Sequence, residues 1–218
     1  MAIYYIYLAV LLFSFLVSMV NYRWLKSRLM QGFPYLLMLT LIAEILARYV
    51  NVALKGNNGF IYNLFVPIEI SYFTWFYLKL PVNRLQQRIL ATLLVIYLAG
   101  NIVVYLFFKP IAHFDTYLFI AGGLLIVIIC LLFFYNYFNL DSAREELRWK
   151  PVLWISAGIV AYFTVACSVL ALYNPLVSLK ADLLGVPLYR LIPQILSIFM
   201  YTSFAYAFYL CRKEKWIL

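Results

Sequence analysis

Apolar residues run through this chain in long blocks, broken at short intervals by small clusters of Lys, Arg, Asn, Gly and Pro. The blocks are about as long as a helix needs to cross the hydrocarbon core of a bilayer, roughly twenty residues. Seven are predicted, at residues 2–20, 34–54, 60–80, 89–108, 114–138, 151–173 and 187–211. Pro34 suits a helix start, where its missing N–H is not needed, and KGNNG at 55–59 has the residues that turns prefer. The connections are too short to hold a separate soluble domain. The expected architecture is one all-α, polytopic membrane domain over residues 1–218, a seven-transmembrane-helix bundle. The first block has no basic stretch before it and is long enough to stay as a span, so it is not read as a cleavable signal.

Composition agrees. The chain is 67% hydrophobic and 11% charged, with a mean hydropathy of +0.94, whereas soluble domains are nearer half apolar and a quarter charged. The net charge of +9 would suit nucleic acid if the bases shared one soluble face. Instead they punctuate the apolar blocks, as insertion topology requires, and no nucleic-acid partner is expected. Twelve of the seventeen fall on one side: Arg23, Lys26 and Arg28; Lys79, Arg84 and Arg88; Arg144, Arg148 and Lys150; Arg212, Lys213 and Lys215. By the positive-inside rule the N-terminus is outside and the C-terminus cytoplasmic, in a cell inner (plasma) membrane. Trp24, Trp75, Trp149 and Trp216 are expected as anchors at the cytoplasmic boundary. DSAREELRWK at 141–150, with its mixed charge, reads first as a solvated loop, with a short amphipathic turn on the inner surface or a docking surface for a cytoplasmic partner as the alternatives.

Against this background the polar residues inside the blocks carry the information, because ionisable groups at membrane depth usually face a bundle interior or a water-filled cavity. In the second block Glu44, Arg48 and Asn51 are spaced i, i+4, i+7 on one helical face, with Thr40 extending the stripe inward. Glu44 and Arg48 are expected to pair within the helix. The third block brings in Tyr62, Asn63 and Glu69, with Pro67 unable to donate to the carbonyl of Asn63. In the seventh, Arg190, Gln194, Ser197 and Tyr201 form a second stripe below Pro193, and Asn101 lies midway through the fourth. The expected binding cluster is therefore Glu44, Arg48, Asn51, Asn63, Glu69, Asn101, Arg190 and Gln194, in the outer half of the bundle. Glu69, with no cation within a turn, is the better candidate for a titrating group. The inner halves are nearly free of polar residues.

Catalytic chemistry is not indicated. The single histidine, His113, falls in a loop, and no His, Asp or Cys set has metal-ligand spacing. No serine has a histidine partner for a triad, and no nucleotide-binding fingerprint occurs. Cys130, Cys167 and Cys211 form no disulfide framework. No cofactor and no metal is expected.

Residues 62–64 (YNL) and 189–191 (YRL) each open a helix shortly before a proline, Pro67 or Pro193, and the preceding blocks begin with Pro34 and Pro151. Blocks 1–3 and 5–7 would then be two parallel three-helix units joined by the fourth, a 3+1+3 repeat of a kind found in transporters. IYNLFVPIE at 61–69 and PVLWISAGIVAYF at 151–163 resemble uncharacterised bacterial seven-helix inner-membrane proteins, a resemblance that covers most of the chain. It implies a compact seven-helix bundle and carries no activity or site residues with it. The sugar carriers called SWEETs are similar only in helix count, orientation and the repeat. Their superfamily's Pro-Gln motif is not expected in the last helix, where Pro193-Gln194 stands. The expected function is a non-enzymatic sensory or accessory module that binds a ligand, lipid or partner through the outer cluster. Its surroundings are the lipid bilayer, with room for a cytoplasmic partner at the basic inner loops and for a homo-oligomer. A small-solute or proton-coupled transporter is the alternative, and an oligomeric pore-forming or membrane-perturbing protein a third.

Overall fold

The computed structural model describes residues 2–25, 28–80, 83–139, 143–179, 182–183 and 186–213. It is 87% helical. The helices are α1 (Ala2–Val20), a one-turn α2 (Arg28–Gln31), α3 (Phe33–Val52), α4 (Gly59–Leu78), α5 (Arg84–Val103), α6 (Thr116–Phe138), α7 (Ala143–Ala171), a short α8 (Tyr173–Ser178) and α9 (Leu188–Lys213). A 3₁₀ turn at Tyr22–Trp24 follows α1, and α5 runs on through a π-helical turn, Val104–Phe108. Six helices are long and apolar enough to cross a membrane, namely α1, α3, α5 with its π turn, α6, α7 and α9, which marks a multi-pass membrane protein. The 20-residue α4 is as long as α3, but Asn63, Glu69, Ser71 and Thr74 dilute its apolar character. Its neighbours shield three of those residues, since Asn63, Glu69 and Thr74 are buried, and the apolar Ile70, Phe73 and Phe76 between and below them are wholly so.

Helix packing follows a closed cycle. α1 packs on α3, α3 on α4, α4 on α6, α6 on α7, α7 on α9, and α9 returns to α1. α5 stands outside the cycle against α4 and α6, with Leu106, Phe107 and Phe108 at its end almost fully exposed. Small residues allow the close approaches, as at other membrane helix interfaces. A Cβ on Gly158 of α7 would lie 3.1 Å from Met200 Cα of α9, and one on Gly123 of α6 would strike the Cys167 sulfur of α7.

Several element boundaries differ from the sequence expectation. α5 starts at Arg84 rather than 89, because Asn83 and Gln86 form a capping box: Asn83 Oδ1 accepts from Leu85 N at 3.1 Å, and Gln86 Oε1 from Asn83 N at 3.3 Å. α7 starts at Ala143, so Pro151 sits inside the helix instead of opening it. The stretch expected as a solvated loop at 141–150 is thus helical from Ala143 onward, and Asp141 lies outside the described residues. Before α9, Asp182–Leu183 and Val186–Pro187 pair as a minimal antiparallel hairpin, a small departure from an all-α chain. Among the expected boundary tryptophans, Trp24 and Trp75 are exposed but Trp149 is buried, since the longer α7 carries it into the helix packing. Trp216, Lys26, Lys180 and Lys215 fall outside the described residues.

One half of the cycle is filled solid. Phe33 of α3 is fully buried and lies at its centre. Its ring meets Tyr72 (5.3 Å between centroids), Phe76 (5.1 Å), Phe204 (5.6 Å) and Phe208 (5.8 Å) edge-on, and Phe73 (6.3 Å) at a tilt, arrangements that aromatic quadrupoles favour. This packed half is not free of polar groups, whereas the sequence expectation confines them to the half that holds the cluster. Tyr77 Oη and Ser156 Oγ are 2.6 Å apart, Cys130 Sγ reaches Tyr77 Oη at 3.3 Å, and Ser156 Oγ donates to Val152 O at 2.8 Å. This buried chain ties α4, α6 and α7 together.

Candidate functional site

The other half of the cycle is hollow. A cavity of about 510 Å³ lies between α1, α3, α4, α6, α7 and α9, a size within the range of small-molecule sites. Three helices write the same depth order along it. On α3, Asn51 and Arg48 stand at the mouth, Glu44 below them, Thr40 at the floor, and Phe33 beneath in the aromatic plug. On α4 the order is Tyr62, Glu69, then Phe73; on α9 it is Arg190, Gln194, Ser197, Tyr201, then Phe204. Asn58 and Phe114, from the connections before α4 and α6, complete the mouth.

Six of the eight residues predicted from the sequence therefore line one space: Glu44, Arg48, Asn51, Glu69, Arg190 and Gln194. Their contacts are not those expected. Glu44 and Arg48 do not form an ion pair. The Arg48 guanidinium lies over the Tyr4 ring, 5.2 Å from its centroid, and the Glu44 carboxylate accepts from Tyr62 Oη at 3.4 Å, with Tyr7 approaching the same group. Helical spacing permits an i, i+4 pair, but the rings of α1 and α4 give each side chain a different partner. Arg190 is exposed and lies over the Tyr189 ring at 5.5 Å. Glu69 is only 7% exposed and has no hydrogen bond or ion pair among the described residues. It shares the cavity lining with Glu44.

Asn63 and Asn101 do not line this space; they border a small adjoining crevice with Tyr97 and Asp115. Asn101 Nδ2 turns back to Tyr97 O at 2.8 Å. Asn63 is a clamp: its Nδ2 donates to Ile111 O (2.8 Å) and His113 O (2.7 Å), and its Oδ1 accepts from Asp115 N (3.2 Å). This holds the 109–115 connection across the mouth, helped by Asn57 Nδ2 against His113 Nδ1 at 2.9 Å. One turn below Pro67, Ser71 Oγ donates to the Pro67 carbonyl at 2.7 Å.

Asp115 anchors the same connection. Its Oδ1 caps α6 through Tyr117 N (2.9 Å) and Leu118 N (3.1 Å), and its Oδ2 takes Lys109 Nζ at 2.7 Å. Burial works to raise its pKa, but the lysine and the two backbone donors outweigh it, and the group sits below its ordinary value. A depressed folded-state value means a contribution that is complete above the unfolded carboxylate pKa, roughly 4, and is lost as pH falls through the folded one. Asp115→Asn is therefore expected to melt lower than the wild type at pH 7, with the gap closing between pH 5 and pH 3 in a melting series. An equal gap at both ends would show that the ion pair contributes nothing.

Sequence reasoning missed the aromatic share of the lining: Tyr4 and Tyr7 of α1, Tyr162 of α7 and Tyr189 of α9. Tyr4 and Tyr7 are three apart on one helical face, a signal in an apolar block, but their place opposite Glu44 depends on how α1 packs. The described residues hold no group of three or more His, Cys, Asp or Glu side chains that could bind a metal ion. Comparison of the chain with protein-family models, with curated proteins and with solved structures gave no match to any of them.

Proposed function

We propose that the protein is a seven-span membrane module that binds a small ligand in this cavity from the outer side, and that it acts as a receptor or accessory subunit rather than an enzyme. One observation carries the reading: a cavity of small-molecule size with charged side chains set in a largely aromatic lining, open at the arginine end and stopped at the other by the Phe33 cluster. A blind cavity suits a site that is loaded and emptied through one mouth, and the plug speaks against an open pore through a single subunit. By the positive-inside rule the basic residues on the far side support a mouth that opens outward, and α4, sheltered by its neighbours, would be the seventh span. The test uses Ser197→Cys, a floor position. The native cysteines are all buried, so wild-type protein gives the background. An impermeant thiol reagent is expected to label the variant from outside intact cells and not in everted vesicles. Labelling from the cytoplasmic side would reject the orientation and the blind end together.

A second reading, a small-solute or proton-coupled transporter, rests on a specific observation. In the helix cycle the third helix of each three-helix unit packs on the first helix of the other, α4 on α6 and α9 on α1, while α5 stays outside as a connector. Pro67-Ile-Glu-Ile-Ser71 and Pro193-Gln-Ile-Leu-Ser197 place the same serine-to-proline-carbonyl bond in both halves, at 2.7 and 2.8 Å. This arrangement fits a two-fold repeat about the membrane normal, as in parallel-repeat carriers. Saturable, protein-dependent solute flux into proteoliposomes would favour the carrier.

A further inference from the structure

The charges in the cavity are sorted by depth and are not spent on one another. Among the described residues Glu69, 7% exposed and lining the space, has no hydrogen-bond or ion-pair partner, and Glu44 beside it has only tyrosine hydroxyls. Arg48 and Arg190 at the mouth have, among the described residues, a ring face each, at 5.2 and 5.5 Å, and no acid. Two acids and two bases make the lining formally neutral, so an internal match was available by count and is not made. Ionisable groups at this depth are costly unless something matches them.

The separation sets the shape of what would match them. Arg48 lies one turn above Glu44 on α3, a rise of about 6 Å, and Arg190 lies about 10 Å above Ser197 on α9. A ligand that was only an anion would be held at the mouth and repelled by the floor; a bare cation would meet the arginines on its way in. Around the acids stand the rings of Tyr7, Tyr62, Tyr162 and Tyr201, which attract a cation through their faces while the carboxylates supply the charge. The arginines offer planar forks that match a carboxylate or phosphate.

We infer that the cavity binds a small zwitterion, ammonium end down between Glu44, Glu69 and the tyrosine rings, anionic end up at Arg48 and Arg190. This rests on the binding reading above and adds the chemical class and pose. The ligand's chemistry is shared by free solutes such as ω-amino acids and by the phosphoethanolamine or phosphocholine headgroup of a lipid.

The test is calorimetric titration of the purified full chain in phosphatidylglycerol nanodiscs with phosphoethanolamine, phosphocholine and 4-aminobutanoate. Ethanolamine, choline, phosphate and acetate serve as single-charge halves, and glucose as a neutral probe. At least one zwitterion is expected to bind about ten-fold or more tighter than either of its halves, a factor worth about 1.4 kcal/mol. Glu69→Gln should weaken the zwitterion and its cationic half but not phosphate, and Arg190→Gln, at an exposed position, should do the reverse. The wild-type comparison stands even if a variant does not fold. Phosphatidylethanolamine nanodiscs that compete with added phosphoethanolamine would make a lipid headgroup the occupant; equal affinity in both lipids would make it a free solute. Glucose or a single-charge probe binding as tightly as every zwitterion would overturn the inference and leave a binding cavity in place. No heat from any probe, with wild-type protein monodisperse, would overturn both.

Discussion

Phe33→Ala is expected to be among the most destabilising single substitutions in the chain, lowering stability by about 3 kcal/mol in detergent or nanodiscs. Phe-to-Ala changes in soluble cores cost roughly 3–5 kcal/mol. Part of that is transfer from water, which shrinks where lipid is the alternative solvent. The remainder is lost packing, and here it is large: five rings from α4 and α9 lie 5.1–6.3 Å from that of Phe33, and all of those except Tyr72 are as deeply buried as Phe33 itself. They are held by rigid helices and could not close on the gap. By the scaling for chains of this size, the melting temperature should fall by roughly 6–12 °C. Phe107→Ala, at a position 76% exposed, is the control and should leave it unchanged. Similar melting for the two variants would mean that the aromatic cluster is not a packed plug.

Gly59→Ala should act nearly as strongly by a different route. A Cβ at Gly59 would fall 2.4 Å from Phe114 N and 2.7 Å from Ala112 O. Both are backbone atoms, so no rotamer change relieves the clash, and the 109–115 connection must lift away from α4. The three hydrogen bonds of Asn63 go with it, each worth about 0.5–1.5 kcal/mol net, for a loss of about 2–4 kcal/mol. Hydrogen exchange should speed up at residues 111–115 before the rest of the protein responds. Gly100→Ala makes the contrast: nothing lies within 4 Å of the added methyl, and helix propensity predicts a gain of up to about 1 kcal/mol. If exchange at 111–115 were unaltered in Gly59→Ala, the connection would not be docked where it is described.

The stripes that the sequence displays were legible because helical periodicity alone fixes them. Spacings of four and seven residues put Glu44, Arg48 and Asn51 on one face, and Arg190, Gln194 and Ser197 on another, and both faces open on the cavity. Helix periodicity is silent about which way a long side chain turns. Arg48 is within reach of Glu44 by spacing, yet it lies over Tyr4, a residue more than forty positions away. Asn63 looked like a ligand group because it sits beside Pro67 in an apolar block. Its actual partners are carbonyls of residues 111 and 113, which only the docking of a distant connection supplies. The start of α7 was misread for a local reason: Pro151 is as acceptable in the first turn of a helix as Pro34 is, and nothing nearby reveals that the helix has already begun at Ala143.

The cyclic packing also has a consequence for how the protein is made. Around the cycle, each helix rests on the one that precedes it among the cycle's members, with one exception, the seam between α9 and α1. The order of synthesis is thus the order of assembly, and as each span leaves the ribosome it finds its neighbour already in place, the local-contact arrangement that favours fast folding. Until α9 arrives, what exists is an open gutter whose wall of tyrosines and carboxylates faces lipid or whatever chaperone covers it. The seam is the last step, and it joins the first helix of the cycle to the last. Lesions along it, at Tyr7 against Tyr201 (6.0 Å between rings) for example, should show themselves as failures of biogenesis, with degraded nascent chains, more than as a lower melting point in the protein that survives.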